Sequence, residues 1–400
     1  MVGQLSKHFR QMTVGKDCRD ILHPNQDCVS AWWTFFVEGV LGGMRHYMPA
    51  VVTPLLFRIG QWNDPEVWRN FIRQYIRCIL AGLPMTGGSF VAFCLFHKLT
   101  GRRFPAAWFV LVPSLAGGLT VSYLPKHIVR AQGIGLFNMY IEFLIRRARH
   151  PLVGFLRSSR NSATVLFAIL SAGIMATRQY LQLERFWFAR PYPDGHCNEG
   201  HGNLPGSSHR QHVLVEVKKA VYIGLAVSLI KNFLPHVTML LRDPVGLVKL
   251  LITRFDVGLF GFITCYKTVY EVANCWLAKR QLTPIVRSGI GGFLAGLAYC
   301  CFPNYLLFTF SMTELIELCW LAYMRFDGVS KPDFLRWFDR EVPVGMLLYT
   351  ASLGMLCHLR IVYPYHINRY WHKLMANGTW GRSDTLAYNY ARILLDCPSQ

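Results

Sequence analysis

Three residues near the start of the chain have side chains that could bind a metal ion or form a disulfide. Cys18, His23 and Cys28 lie close together in a polar stretch. They supply three ligands, whereas a structural zinc site has four. The sequence alone therefore leaves a disulfide and half of a metal site open. It predicts neither a bound metal ion nor a cofactor.

Eight ionisable side chains lie inside strongly apolar stretches, where burying a charge is costly enough to make them functional candidates. Lys267 and Glu271 are one helical turn apart, so mutual neutralisation within one helix is predicted. The remaining cations and glutamates could pair with one another or line a polar path, and pairing is favoured two to one. The eight residues are Glu38, Arg45, Glu142, Lys231, Lys267, Glu271, Glu314 and Glu317.

Known enzyme motifs are missing from the sequence, which indicates a protein without catalytic activity. There is no HExxH, no GxSxG and no pair of CxxC motifs. The stretch 185–216 contains five potential zinc ligands, but their spacing fits no standard zinc finger, and a solvated loop is the favoured interpretation. These five residues are His196, Cys197, His201, His209 and His212.

The composition is that of an integral membrane protein. Apolar residues make up 52% of the 400 residues and charged residues only 16%, where soluble proteins carry roughly 25%. Lys and Arg number 42 against 22 Asp and Glu, a net charge of +20. Because the cations lie in short loops between apolar runs, we expect anionic membrane lipids as partners and no nucleic acid.

The apolar runs predict an all-α, multi-pass protein built from two bundles of four to five helices each. Five divisions follow from the composition: a Cys-containing N-terminal segment (1–30), a first bundle (31–184), a polar linker (185–216), a second bundle (217–363) and a polar tail (364–400). Candidate helices lie near 31–57, 76–97, 106–125, 131–146, 162–181, 219–241, 255–278, 288–302, 304–324 and 344–363.

Five short motifs recur in the same order in both bundles, at a spacing of about 180 residues. Arg45 matches Lys231, Gly117 matches Gly296, and Glu142 matches Glu317. We interpret this order as a tandem duplication of a five-helix unit. Arg45 and Lys231 on each first helix are then expected to pair with Glu142 and Glu317 on each fourth helix. Gly117, Gly292 and Gly296 are expected to allow close helix packing, and such packing could also form homo- or hetero-oligomers.

The N-terminal stretch from Cys18 through His23-Pro24 to Cys28 resembles the cysteine-rich N-terminal segment of the transmembrane protein 135 family. Proteins of this family are also known as peroxisomal membrane proteins. The second bundle is similar to that family as well, in 290–298, the Glu317 helix and the tail 364–392. The resemblance implies a non-enzymatic, multi-pass protein of a peroxisomal or mitochondrial membrane. It also implies a role in organelle organisation or lipid handling.

A more distant similarity links the second bundle to the channel-forming subunits of mitochondrial inner-membrane translocases. It rests on Gly258-Leu259-Phe260, Lys279-Arg280, Gly292-Phe-Leu-Ala-Gly296 and Leu315-Ile316-Glu317. The acidic residue usual in the basic loop is missing here, so protein translocation is not predicted. Two alternatives remain open from the sequence: a secondary transporter or channel for a small or amphiphilic solute, and a membrane-bound lipid transferase.

Overall fold

The computed structural model describes residues 13–395 apart from 14, 25, 57–58, 102–107, 184–186, 192–208, 234–235, 237–242, 279, 281, 327, 329 and 363–366. The chain is all-α, and this described part contains no strand. The helices of its first half are α1 (Cys18–Ile21), α2 (Cys28–Leu56), α3 (Pro65–Gly82), α4 (Gly88–Leu99), α5 (Leu111–Gly118), α6 (Lys126–Arg147), α7 (Pro151–Ser158) and α8 (Arg160–Leu181). Those of its second half are α9 (His209–Phe233), α10 (Pro244–Thr253), α11 (Val257–Ala278), α12 (Pro284–Gly296), α13 (Tyr305–Arg325), α14 (Asp333–Glu341), α15 (Val344–Val362), α16 (Arg369–Gly378) and α17 (Arg382–Leu395).

Several helices begin where a polar side chain accepts a hydrogen bond from an otherwise unsatisfied backbone N–H. Asp64 accepts from Glu66 N at 2.9 Å and precedes a proline at the first position of α3. Ser159 caps α8 through Ser162 N at 3.0 Å. Local sequence thus sets these starts, whereas the apolar runs set the lengths.

Six helical stretches within the described residues are long and apolar enough to cross a membrane, so the protein is a multi-pass helical membrane protein. They are Pro65–Leu99, Lys126–Arg147, Arg160–Leu181, Pro284–Cys301, Tyr305–Arg325 and Val344–Ile361. Helices α2, α9 and α11 also form where the sequence predicts helices, but lie outside this set.

Two stretches that the sequence presents as polar and non-helical contain helices. Asp333–Glu341 forms α14 between the last two predicted spans, and the tail beyond Tyr370 forms most of α16 and all of α17. The helices in both stretches are amphipathic, with charged residues along one face. They therefore contain no long apolar run, and the sequence pattern does not predict them.

The chain forms two compact units. The first comprises Met1–Arg147 and Phe338–Gln400. Within it, α15 packs against α5 and α6, α2 packs against α3, and α16 packs against α2. Thr350 donates a hydrogen bond to the Gly118 carbonyl at 3.0 Å, where α15 meets α5. The core of this unit includes the buried side chains of Phe35, Tyr47, Phe93, Leu356 and Trp371.

The second unit comprises Ala148–Trp337. Helix α8 packs against α12 and α13, and α11 packs against α9 and α12. A buried chain of hydrogen bonds runs from Trp187 Nε1 to Tyr266 OH (2.8 Å), on to Ser171 Oγ (2.7 Å) and then to the Gly292 carbonyl (2.7 Å). Every hydroxyl in this chain has both a donor and an acceptor role, so the polar groups are satisfied inside an apolar core.

The unit boundaries differ from the predicted bundles 31–184 and 217–363. Helix α8, which the sequence assigns to the first bundle, packs in the second unit, and α15, assigned to the second bundle, packs in the first. The reason is steric. Helix α8 presents Ala168 and Ser171 to the glycines of α12, and only small residues permit such a close approach.

Candidate functional site

Two charged residues on α2 make contacts that join distant parts of the chain. Glu38 on α2 accepts two hydrogen bonds from the Arg382 guanidinium, at 2.6 and 2.8 Å. Next to this pair, the Arg45 guanidinium lies 3.8 Å above the ring of Trp380. Both contacts fasten the C-terminal helical segment to α2.

Glu142 is buried on α6 with both carboxylate oxygens occupied. Arg146, one turn further along, reaches Oε1 at 2.6 Å, and the Asn368 side chain donates to Oε2 at 3.0 Å. The expected pair of Arg45 with Glu142 is therefore wrong. A partner within the same helix satisfies the carboxylate, and Arg45 stacks on an indole ring instead.

The expected pair of Lys231 with Glu317 is also wrong. Lys231 Nζ lies 2.5 Å from Asp256 Oδ2, directly before α11, and Glu317 lies half-buried on α13. The carboxylate at the start of the neighbouring helix is reached without crossing the bundle. Because α9 packs directly against α11, Lys231 on α9 lies closer to Asp256 at the start of α11 than to Glu317 on α13.

Lys267 on α11 forms its ion pair with Glu216 on α9, at 3.2 Å, and not with Glu271 one turn away. Glu216 also accepts a hydrogen bond from Lys219, and Glu271 is buried close to the same cluster. The ion pair of Lys267 with Glu216 joins α9 to α11. The sequence predicts that Lys267 is neutralised by Glu271 on its own helix. In the structure it is neutralised by Glu216 on the neighbouring helix.

Among the described residues, the most deeply buried ion pair involves a residue that the sequence reasoning missed. Arg178 near the end of α8 is fully buried, and its Nη1 lies 3.3 Å from Glu314 Oε1 on α13. Arg360 near the end of α15 is likewise buried, and it donates hydrogen bonds to Asp384 and Ser383. The signal was available, because Arg178 and Arg360 follow another of the five recurring motifs, SAGIMAT at 171–177 and SLGMLCH at 352–358.

The three candidate packing glycines lie at close helix contacts. A Cβ added to Gly296 would stand 2.6 Å from Ala168 Cα, and one added to Gly292 would stand 2.8 Å from Met175 Cβ. A Cβ on Gly117 would meet the Ser89 side chain. Real Cβ atoms essentially never lie this close to their neighbours, so these positions set the distance between helices.

The N-terminal cysteines and histidine converge on one point. Cys18 Sγ lies 3.7 Å from Cys28 Sγ, which in turn lies 3.8 Å from His23 Nε2. The buried thiol of Cys94 on α4 lies near Cys18. That contact, together with burial, raises the pKa of the Cys18 thiol to about 12. The cluster therefore has three potential metal ligands, whose ligand atoms lie within 4.8 Å of one another.

Helix α3 carries a feature that the sequence reasoning also missed. Arg69, Arg73 and Arg77 follow one another at every fourth position and are exposed. Beside them runs an exposed apolar row on the same helix, made up of Trp68, Ile72, Ile76 and Leu80. Side chains four residues apart share a helix face, so the two rows lie next to each other along α3. This is the pattern of a helix at a membrane surface.

The histidine-rich part of the predicted linker, including His196, Cys197 and His201, lies outside the described residues. Comparison of the chain with protein-family models, with curated proteins and with solved structures finds no match.

Proposed function

We propose that the protein is a non-enzymatic component of a peroxisomal or mitochondrial membrane that binds anionic lipids and acts in organelle organisation or lipid handling. The observation that carries the proposal is the basic amphipathic helix α3. The resemblance of the N-terminal motif and of the second bundle to the transmembrane protein 135 family supports the choice of organelle.

The length of the helical stretch supports a lipid-surface role for α3. Residues Pro65–Leu99 form 35 residues of helix, about 52 Å at 1.5 Å per residue. The hydrocarbon core of a bilayer is only about 30 Å thick. With the apolar α4 inside the bilayer, most of α3 extends into the headgroup region. There its arginines meet lipid phosphates while Ile72 and Ile76 contact acyl chains.

The paired charges support a structural role over solute transport. Glu38, Glu142 and Arg178 have partners within their own unit. A charge that faces a permeation path must exchange partners during transport, and pairs held by two or more hydrogen bonds resist that exchange.

A triple change on α3 tests the lipid proposal. Replacing Arg69, Arg73 and Arg77 by Gln is expected to weaken binding of anionic lipid about 10- to 100-fold, since each cation near an anionic surface contributes about 1 kcal/mol. Lipids that co-purify with the protein in mild detergent would be quantified by mass spectrometry. Binding to nanodiscs containing phosphatidylserine or cardiolipin would then be compared with binding to nanodiscs of phosphatidylcholine alone.

The matched control removes three exposed arginines that do not form a row: Arg149, Arg340 and Arg369. Both variants lower the net charge equally, so a general charge effect would weaken binding in both. Equal lipid binding by the α3 variant and the wild type would contradict the proposal. Fluorescent tags at both termini, combined with selective permeabilisation, would locate the protein and its orientation.

We propose further that the chain contains two copies of a five-helix repeat. The fifth helix of each copy packs with helices of the other copy instead of its own. Helix α8 packs with α12 and α13, the third and fourth helices of the second repeat. Helix α15 packs with α5 and α6, the third and fourth helices of the first. The reciprocal arrangement is what a duplication followed by an exchange of equivalent helices would produce.

A split chain tests this exchange. Cutting the coding sequence after Gly200 gives two halves. The first half contains α8 but lacks α15, which packs against its α5 and α6. The second half contains α15 but lacks α8, which packs against its α12 and α13. We expect each half alone to aggregate and the two co-expressed halves to purify together in detergent. Two halves that are each monodisperse on their own would show that the exchange is wrong. As a control, the coding sequence is cut within α13. Because this cut severs a candidate span, the two pieces should fail to accumulate whether they are expressed separately or together.

A further inference from the structure

Helix α14 lies between two candidate membrane spans and is joined to the second of them by a very short connection. The span Tyr305–Arg325 comes before it, and the span Val344–Ile361 follows it. Only Val342 and Pro343 separate the last residue of α14 from the second span. The position of α14 is therefore tied to the end of that span.

The lengths of these segments place the end of α14 at the membrane surface. The span Val344–Ile361 has 18 residues, about 27 Å of helix at 1.5 Å per residue, whereas the hydrocarbon core of a bilayer is about 30 Å thick. Since the whole span is needed to cross the core, Val344 lies at the edge of the core. Three Cα–Cα steps of about 3.8 Å keep Glu341 within about 11 Å of Val344. The headgroup layer is about 5–8 Å deep, so the C-terminal end of α14 lies in it or next to it.

Two large aromatic side chains on α14 are exposed on the same face. Phe334 and Trp337 have exposed fractions of 64% and 54%. They are three residues apart, and their ring centroids are separated by 6.0 Å. At 3.6 residues per turn, four charged side chains fall on the other side of the helix. These are Asp333, Arg336, Asp339 and Arg340, and all four are exposed.

The aromatic face of α14 fits the interface of a bilayer better than it fits water. Burying a side chain such as that of Phe334 away from water is worth about 1.5–3 kcal/mol. The apolar phase nearest to α14 along the chain is the bilayer, because the helices on both sides of it are candidate spans. Tryptophan is enriched at the level of the lipid headgroups, where its apolar ring meets lipid and its N–H still finds a hydrogen-bond acceptor.

The charges of α14 distinguish it from the basic helix α3. Its two cations, Arg336 and Arg340, are outnumbered by Asp333, Asp339 and Glu341. Attraction to anionic headgroups therefore does not hold α14 at the surface. Insertion of the two aromatic rings supplies the favourable free energy, and it requires no particular headgroup charge.

We propose that α14 lies in the plane of the bilayer surface, with Phe334 and Trp337 inserted among the lipid chains and its charged face toward water. The partner is the bilayer itself, through its neutral lipids as well as its anionic ones. This inference goes beyond the lipid binding proposed for α3, since it rests on the membrane spans and not on the arginines of that helix.

Photo-crosslinking in a bilayer tests the orientation of α14. p-Benzoyl-phenylalanine is introduced at Phe334, Trp337 or Arg336, one position at a time, in the full-length protein. Each variant is reconstituted into nanodiscs of phosphatidylcholine alone and irradiated. Arg336 is the matched control, because it is exposed on the charged face next to Trp337. Mass spectrometry should find covalently attached lipid several times more often at positions 334 and 337 than at position 336.

A second measurement uses the wild-type protein and does not depend on any variant. A phosphatidylcholine with a diazirine in its acyl chain should label α14 at Phe334 and Trp337, and not on its charged face. Equal labelling of the two faces, or no labelling of α14, would overturn the proposal. Crosslinking of positions 334 and 337 to a second copy of the chain or to another protein, in place of lipid, would also overturn it.

Anionic lipid separates this proposal from the one made for α3. Adding phosphatidylserine to the nanodiscs, or replacing Arg69, Arg73 and Arg77 by Gln, should leave lipid attachment at positions 334 and 337 unchanged. Attachment that occurs only with phosphatidylserine would show that charge holds α14 at the surface, and would overturn the proposal. If attachment at α14 persists while the α3 variant binds anionic lipid as well as the wild type does, only the proposal for α3 fails.

Discussion

Arg178→Met is expected to lower the stability of the second unit by about 3–5 kcal/mol. The arginine is completely buried, and its Nη1 lies 3.3 Å from Glu314. Removing the cation takes away the positive charge next to the Glu314 carboxylate, in a site from which water is largely excluded. The carboxylate must then either remain desolvated or take up a proton, and both cost free energy. The measurement is the midpoint of thermal unfolding of the purified protein in detergent.

The double variant separates a structural pair from an independent role of either residue. Glu314→Gln alone should also destabilise the protein. Arg178→Met combined with Glu314→Leu should recover a substantial part of the loss, because an apolar pair of similar size needs no desolvation of charge. Arg336→Met is the control, since Arg336 is an exposed arginine of the same unit and should change stability by no more than about 0.5 kcal/mol. Additive effects in the double variant would show that the two side chains do not interact.

The positions of most helices follow from the sequence, because long apolar runs in a membrane protein have little choice but to form helices. Predicted runs near 131–146, 162–181 and 304–324 correspond to α6, α8 and α13. The earlier start of α3 was missed because the turns before residue 76 carry two arginines, Arg69 and Arg73. Amphipathic helices at a membrane surface have lower mean hydropathy, so a search for apolar runs detects only their continuation into the bilayer.

The partners of the charged residues could not be predicted from repeat matching. The repeat suggests equal roles for Arg45 and Lys231, yet one stacks on Trp380 and the other pairs with Asp256. A carboxylate takes the nearest cation that its helix geometry allows, and for Glu142 this is Arg146, one turn away. Pairing depends on helix neighbours, and the sequence does not contain that information directly.

The neighbours of Cys18, His23 and Cys28 likewise depend on helix packing that the sequence does not specify. Cys18, His23 and Cys28 are close in sequence and are recognised as a group, but three ligands do not complete a zinc site. Cys94 is one of eight cysteines in apolar segments, where a thiol ordinarily behaves as a small apolar side chain. Cys78 is equally buried, so burial alone does not show which of these cysteines lies near Cys18.

Gly296→Val is expected to have the second large effect, a loss of stability of about 1–3 kcal/mol or more in the second unit. A Cβ at this position would lie 2.6 Å from Ala168 Cα and 2.9 Å from Ser171 Cβ. The nearest atom belongs to the backbone of α8, so the clash cannot be relieved by rotating a side chain. Helices α8 and α12 would have to separate, which would also strain the hydrogen bond from Ser171 to the Gly292 carbonyl.

Gly289→Ala on the same helix is the control for this change. A Cβ there would lie 3.5 Å from Ala176 Cβ, an ordinary van der Waals distance, and alanine has a higher helix propensity than glycine. We expect the thermal unfolding midpoint of Gly289→Ala to equal or exceed that of the wild type, while Gly296→Ala lowers it and Gly296→Val lowers it further. This graded order follows from side-chain volume at a fixed backbone contact. Equal midpoints for Gly296→Val and Gly289→Ala would show that α8 and α12 are not in close contact at this position.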